Sequence, residues 1–169
     1  VGILLSQPAQ ARPIEVDTGR WRLELQGVDV VHSSKTDRED DYFVSGSIEY
    51  EMETSLPHLN FGVRAYPLFA YQAKDDIFGV AAGITFRYYQ HADTRDGFYA
   101  EAGSGPIWLS HHLEGNSTRV NFLNELGVGY KFSHAPWSLS LKYQHISNAG
   151  TGSDNAGVNG ISLGVAYTF

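Results

Sequence analysis

The sequence predicts an all-β protein, an eight-stranded antiparallel up-and-down transmembrane β-barrel, on three observations. Apolar residues recur at every second position along most of the chain, the period of a strand. The opposite face of the same segments carries small residues and a balanced set of long charges. Tyr and Trp gather at segment ends, and the chain finishes on Tyr167-Thr168-Phe169.

In chain order, a weaker alternating stretch over 21–30 comes first. Val44, Ile48 and Tyr50 then oppose Ser45, Ser47, Glu49 and Glu51, and a second weaker stretch covers 59–70. Phe78, Val80, Ala82, Ile84, Phe86 and Tyr88 oppose Gly79, Ala81, Gly83, Thr85 and Arg87, followed by a stretch over 98–109. Phe122, Leu126, Val128, Tyr130 and Phe132 oppose Asn121, Glu125, Gly127, Gly129 and Lys131. Trp137, Leu139, Leu141 and Tyr143 oppose Ser138, Ser140, Lys142 and Gln144. Finally Ile161, Leu163, Val165, Tyr167 and Phe169 oppose Gly160, Ser162, Gly164, Ala166 and Thr168. Eight strands of roughly ten residues match the smallest membrane barrels.

Which face points inward separates a membrane barrel from a soluble one. In a soluble barrel the apolar face makes the core, whereas in an outer-membrane barrel it meets lipid and the polar face lines the lumen. Here the polar face sets Arg22, Arg64, Arg87, Lys131 and Lys142 against Glu24, Glu49, Glu51, Glu101 and Glu125 among small residues. Such a set suits a narrow, filled lumen. Trp21, Tyr42, Tyr88, Tyr89, Tyr130 and Trp137 read as interfacial girdles. The alternative is a soluble eight-stranded lipid-binding barrel, whose outward face should be far more charged.

Polar segments at 32–41, 53–58, 71–76, 90–97, 110–118, 133–136 and 148–158 separate the strands, without helical periodicity. With both termini on the periplasmic side, 32–41, 71–76, 110–118 and 148–158 are extracellular. Residues 1–11, VGILLSQPAQA, read as the tail and cleavage site of a signal peptide. The barrel is then expected as a single domain over 12–169, in the outer membrane.

Composition excludes several classes. With 12 Lys and Arg against 19 Asp and Glu, a net charge of −7, and no basic run, the chain lacks the electrostatic footprint of a nucleic-acid binder. There is no Cys, so there is no disulfide, thiolate nucleophile or sulfur-based zinc site. The longest apolar stretch, IFGVAAGITF at 77–86, is far short of the ~18 residues of a spanning helix.

The chemistry gathers at the end of the seventh strand. His145 and Ser147 share the parity of Leu139, Leu141 and Tyr143, so two polar groups continue the lipid-facing stripe. Residues i and i+2 of a strand lie roughly 6.5 to 7 Å apart, within reach of an imidazole leaning toward a hydroxyl. That is a nucleophile and a general base. Asn159, with the parity of Ile161 and Leu163, returns across the last hairpin toward His145. The plainer reading is that strand seven has entered the headgroup zone, where polar residues cost little.

From His145 to the C-terminus the chain reads HISNAGTGSDNAGVNGISLGVAYTF. This resembles the C-terminal hairpin of the PagL-like lipid A 3-O-deacylases, outer-membrane barrels whose signature is His-x-Ser-Asn, a Gly- and Asn-rich loop and the last strand. EAGSGPIWLS and VNFLNELGVGYKF are similar in style. The resemblance implies ester hydrolysis of lipid A, or lipopolysaccharide, in the outer leaflet, with Ser147 as nucleophile, His145 as base and no cofactor. The family's best-known members carry a Glu where Asn159 falls. An Asn accepts from the imidazole and fixes its tautomer, as in Cys-His-Asn proteases, but supplies no charge, which predicts a slower or differently assisted enzyme. Asp154, the nearest carboxylate in sequence, reads as a turn residue.

Oxyanion donors are expected from the backbone amides around Asn148, Ala149 and Gly150 and from the Asn155 side chain, because Gly-rich turns expose amides and Asn carries its own NH2. Turn chemistry accounts for the two Asn residues equally well. His111 and His112, beside Glu114, point to opposite faces if extended and make no metal site. His32, His58, His91 and His134 read as solvated loop or turn residues, and Asn116-Ser117-Thr118 as a glycosylation sequon without meaning in a bacterial barrel. Two other functions fit the same pattern: a catalytically silent barrel displaying 32–41 and 110–118, and a phospholipase or acyltransferase using the same Ser and His. No residue pattern fixes the oligomeric state.

Overall fold

The computed structural model describes residues 19–32, 41–72 and 76–169. Every element named below is a strand: β1 (Arg20–His32), β2 (Tyr42–Glu53), β3 (Leu59–Gln72), β4 (Ile77–His91), β5 (Asp96–Leu109), β6 (Val120–Lys131), β7 (Trp137–Ser147) and β8 (Val158–Thr168). Each pairs antiparallel with its sequence neighbour, and β8 pairs back onto β1 to close the barrel. Closure removes both sheet edges, so no row of backbone groups is left unpaired in lipid. The N-terminal segment 1–11, read as a signal sequence, and residues 33–40 of the first long connection lie outside the described residues.

The strands run from 11 residues in β7 to 15 in β4, longer than the expected ten. Alternation fixes which side chains face out. Leu23, Leu25, Val63, Phe78, Val80, Leu126, Leu139, Leu141, Leu163 and Val165 are all exposed on the outer wall, an apolar belt that only hydrocarbon satisfies. The structure is therefore a transmembrane barrel and not a soluble one. Trp21, Tyr42, Tyr88, Phe98, Trp137 and Tyr167 are exposed toward the strand ends. Tyr89 departs from its expected girdle position. Adjacent residues of a strand face opposite sides, and with Tyr88 outside, Tyr89 is buried inside, its hydroxyl donating to Glu51 at 3.1 Å.

Four cations, Arg22, Arg64, Arg87 and Lys142, meet five carboxylates, Glu24, Glu49, Glu51, Glu101 and Glu125, in the lumen, and all nine are buried. Arg64 bridges Glu49 at 2.5 Å and Glu125 at 2.8 Å. Arg87 bridges Glu49 at 2.8 Å and Glu101 at 2.7 Å and pairs also with Glu51. Lys142 joins Glu24 at 2.9 Å to Glu101 at 2.5 Å, and Gln144 donates to Gln26 and to Glu125, each at 2.7 Å. Lys131 stands apart at the rim and donates to the Ala135 carbonyl at 2.9 Å.

Above this ionic layer, toward the connections that follow β1, β3, β5 and β7, the lumen turns apolar. Val28, Phe43, Phe69, Tyr71, Leu109, Leu123 and Ile146 form one buried cluster that plugs the mouth. In β3 the register shifts between Tyr66 and Phe69, so the two-residue step over Pro67-Leu68 returns Phe69 to the inside. Proline has no N–H to give the ladder, which suits a bulge. The sequence parity did not reveal this plug. An inward Ile146 or Leu123 simply interrupts an otherwise polar stripe.

Candidate active site

The β7–β8 hairpin builds the site. Leu141 stands opposite Leu163, Tyr143 opposite Ile161 and His145 opposite Asn159. Ser140, Lys142, Gln144 and Ile146 point inward and are buried, so Tyr143, His145 and Ser147 take the outer wall. Ile146, 0% exposed, locks the strand into the apolar plug between the two polar residues. Ser147 is only 9% exposed although it faces outward.

The imidazole of His145 bridges two groups. Its Nε2 lies 2.9 Å from Ser147 Oγ and its Nδ1 lies 2.7 Å from Asn159 Oδ1. A carbonyl oxygen only accepts, so Nδ1 carries the proton, and the bare Nε2 accepts from the Ser147 hydroxyl. That tautomer is the one a general base requires. Tyr143 donates its hydroxyl to the same Asn159 Oδ1 at 2.6 Å. Gly157 leaves room for the ring: a Cβ there would stand 2.9 Å from His145 Cε1.

On the other flank, β6 sets Phe122 opposite Ser147 and Asn124 opposite His145. Asn124 Oδ1 accepts from Ser104 Oγ at 2.8 Å, which extends the outward polar row onto β5.

The connection over 148–157 is held from within by Asn148, which is 0% exposed. Its backbone N–H donates to Asn155 Oδ1 at 3.0 Å, and its Oδ1 accepts from the Gly150 N–H at 2.9 Å. Its carbonyl accepts from the Thr151 N–H at 3.0 Å and hydroxyl at 2.8 Å. The amides of Asn148 and Gly150, both expected as oxyanion donors, are therefore engaged inside the loop. The Ala149 amide donates to no group among the described residues. Ala149 and Gly150 sit at φ 53° and 78°, so the turn is left-handed at both residues.

A neighbouring connection, 110–119, props this loop. Asn148 Nδ2 donates to Asn116 Oδ1 at 3.1 Å and to the Asp154 carbonyl at 2.8 Å. Asn116 Nδ2 donates to Asn121 Oδ1 at 2.7 Å, the Ala156 N–H donates to the Gly115 carbonyl at 2.8 Å, and Asn116 bridges Asn155. Asn116 and Asn121 were not among the expected site residues. The Asn-Ser-Thr triplet noted as a sequon is the prop itself, and nothing local in the sequence couples 116 to 148.

The remaining candidates lie elsewhere. The Asp154 carboxylate is exposed and bonded to Ser153 at 2.9 Å, not to His145. His111 Nδ1 is 3.2 Å from Ser110 Oγ, and among the described residues no three His, Cys, Asp or Glu gather as metal ligands. His58, read as solvated, meets the Tyr89 carbonyl at 2.9 Å, and His91, exposed as expected, also meets Asp96 at 2.7 Å.

A closed barrel of eight strands, apolar outside and ionic within, is an outer-membrane barrel. Residues 21–168 match the family model of the lipid A 3-O-deacylase (PagL), and the chain belongs to that family. The crystal structure of the outer membrane enzyme PagL is similar at a TM-score of 0.67 and 18% identity, covering 86% of this chain and 98% of that one. The N-terminal β-barrel domain of Pseudomonas aeruginosa OprF is similar at 0.57 and 13%, covering 89% and 99%. Neisserial surface protein A is similar at 0.57 and 16%, covering 90% and 98%. At these identities the likeness is one of fold. No curated protein sequence matches the chain significantly.

Proposed function

We propose that this protein is an outer-membrane serine esterase that removes the ester-linked 3-hydroxyacyl chain from lipid A, working on the lipid-facing wall of the barrel. The observation that carries the reading is the outward row Ser147, His145 and Asn159, with Nε2 to Oγ at 2.9 Å and Nδ1 to Oδ1 at 2.7 Å. Family membership supplies the substrate class.

Ser147 Oγ attacks the ester carbonyl as its proton passes to His145 Nε2. The tetrahedral intermediate collapses, the bond from the acyl carbon to the glucosamine oxygen breaks, and His145 returns the proton to that oxygen. A water, deprotonated by His145, then attacks the acyl-Ser147 ester, and the fatty acid leaves as the proton goes back to Ser147. Asn159 holds the Nδ1–H and orients the ring. The negative charge that develops on the carbonyl oxygen is met by the Ala149 amide and the Asn155 NH2, while Asn148 and Gly150 shape the turn that presents them.

An acyl chain lying in the outer leaflet meets Phe122, Leu126, Leu141 and Ile161, all exposed beside the row. No deep pocket is needed. In this reading residues 1–11 serve export and are removed, 12–169 form one barrel, and the long-loop end faces the cell exterior. The test is mass spectrometry of lipid A from a Gram-negative host expressing the chain or its Ser147→Ala variant at equal insertion. Loss of one 3-hydroxyacyl mass with the unmodified chain only is the expected result. Unchanged lipid A in both overturns the substrate. Free fatty acid with lysophospholipid points to a phospholipase.

A further inference from the structure

The amide of Asn159 has two orientations of nearly the same outline, and only one serves a base. With Oδ1 toward His145, Nδ1 is protonated and Nε2 is free to take a proton. Turned over, the NH2 group would face Nδ1, which would then have to accept. The imidazole proton would move to Nε2, where it would donate to Ser147 and leave no base.

Asn159 Oδ1 receives a second donor, the Tyr143 hydroxyl at 2.6 Å. Tyr143 lies two residues before His145 on β7 and opposite Ile161, so its ring reaches Asn159 along the diagonal of the pair. It is 44% exposed on the outer wall, flanked by Leu141 and Leu126, where a hydroxyl in lipid finds little water. A turned amide would donate to the phenol oxygen and strand the phenol proton without an acceptor, which is costly in an apolar setting. A carboxylate would need no such control, because either of its oxygens accepts.

We propose that Tyr143 is a positioning residue that favours the productive orientation of Asn159 by donating to its Oδ1, and through it the tautomer of His145. This rests on the reading of Ser147 and His145 as the ester-hydrolysing pair. It makes the tyrosine a companion of the amide: it matters with Asn at 159 and ceases to matter with Asp there.

The experiment uses the full chain in detergent or bilayer with a medium-chain p-nitrophenyl ester, comparing the unmodified protein, Tyr143→Phe, Asn159→Asp, the double variant and Ser147→Ala. Heat-modifiable gel migration checks that each barrel is folded. Tyr143→Phe is expected to lower kcat about fivefold at nearly constant KM, the factor one hydrogen bond is worth. In the Asn159→Asp background the same change should alter kcat less than about twofold. An equal loss in both backgrounds, no loss in either, or a change confined to KM overturns the proposal while Ser147-dependent hydrolysis stands. So does an inactive, folded Asn159→Asp barrel, since a carboxylate would then not replace the amide oxygen. Hydrolysis that survives Ser147→Ala, or is absent throughout, overturns the function above and this inference with it.

Discussion

Asn148 and Asn116 belong to different connections, yet the Nδ2 of the first donates to the Oδ1 of the second at 3.1 Å with both side chains almost fully buried. The pair ties the loop after β7 to the loop after β5. The first of these is short of internal support, since its polar groups turn largely on Asn148 itself.

Asn116→Ala leaves a buried Asn148 amide short of an acceptor, a loss of about 1 to 3 kcal/mol. Most of the cost falls on the loop, although Asn121 Oδ1 at the start of β6 also loses its donor. Protease cleavage within 148–157 should accelerate and kcat should fall, while the thermal unfolding temperature of the barrel stays within a degree or two of the original, roughly what a surface change produces.

At Asn159 the prediction concerns the orienting acceptor. Asn159→Ala should cut kcat by about two orders of magnitude, toward the size of a misdirected general base, with little change in KM. Restoration of activity by Asn159→Asp, and its absence in Asn159→Leu, would be read in the same ester assay.

The ionic lumen predicts a stability effect without a catalytic one. Arg64 touches Glu49 and Glu125 at 2.5 and 2.8 Å, so Arg64→Ala strands carboxylates in a sealed interior and should cost about 3 to 5 kcal/mol. Urea unfolding in lipid vesicles measures it. Specific activity per folded barrel at low temperature should be unchanged.

The apolar plug predicts a closed protein. With Phe43, Phe69, Tyr71, Leu109 and Ile146 packed across the mouth, planar bilayers containing the purified barrel should carry no stepwise ion current. Phe43→Gly with Phe69→Gly removes two tilted, packed rings whose centroids are 4.9 Å apart, and should admit leak currents or lower the unfolding temperature.

Much of the barrel was legible because a period of two records which side chains meet lipid and which meet the lumen. The ionic residues on the polar face, the eight strands and the outward parity of His145 and Ser147 all come from that one rule. It fails where both faces are apolar, so Ile146, Leu123 and Leu109 gave no sign of a plug; at Tyr89 the same rule gives the inward face, and it was the residue type, a tyrosine near a strand end, that pointed to a girdle. Asn159 was legible because a hairpin returns the chain to its own partner. Asn116, Asn121 and Tyr143 were not, since their bonds to 148 and 159 are set by three-dimensional neighbours that spacing does not encode.

Ile146 separates the pair on the outer wall from everything inside it, with 0% of its surface exposed. If Ser147 is the nucleophile, the buried Ile146 side chain bars the direct way in from the lumen, and the water that would release the acyl chain would come from the headgroup side, along the same route as the sugar. Supply of one reactant is thereby coupled to the packing of the leaflet, and tightly packed lipid would starve the second half of the reaction before it slowed the first. The inner face of β7 thus anchors the outer one: Ile146, seated in the plug, fixes where His145 and Ser147 stand on the wall.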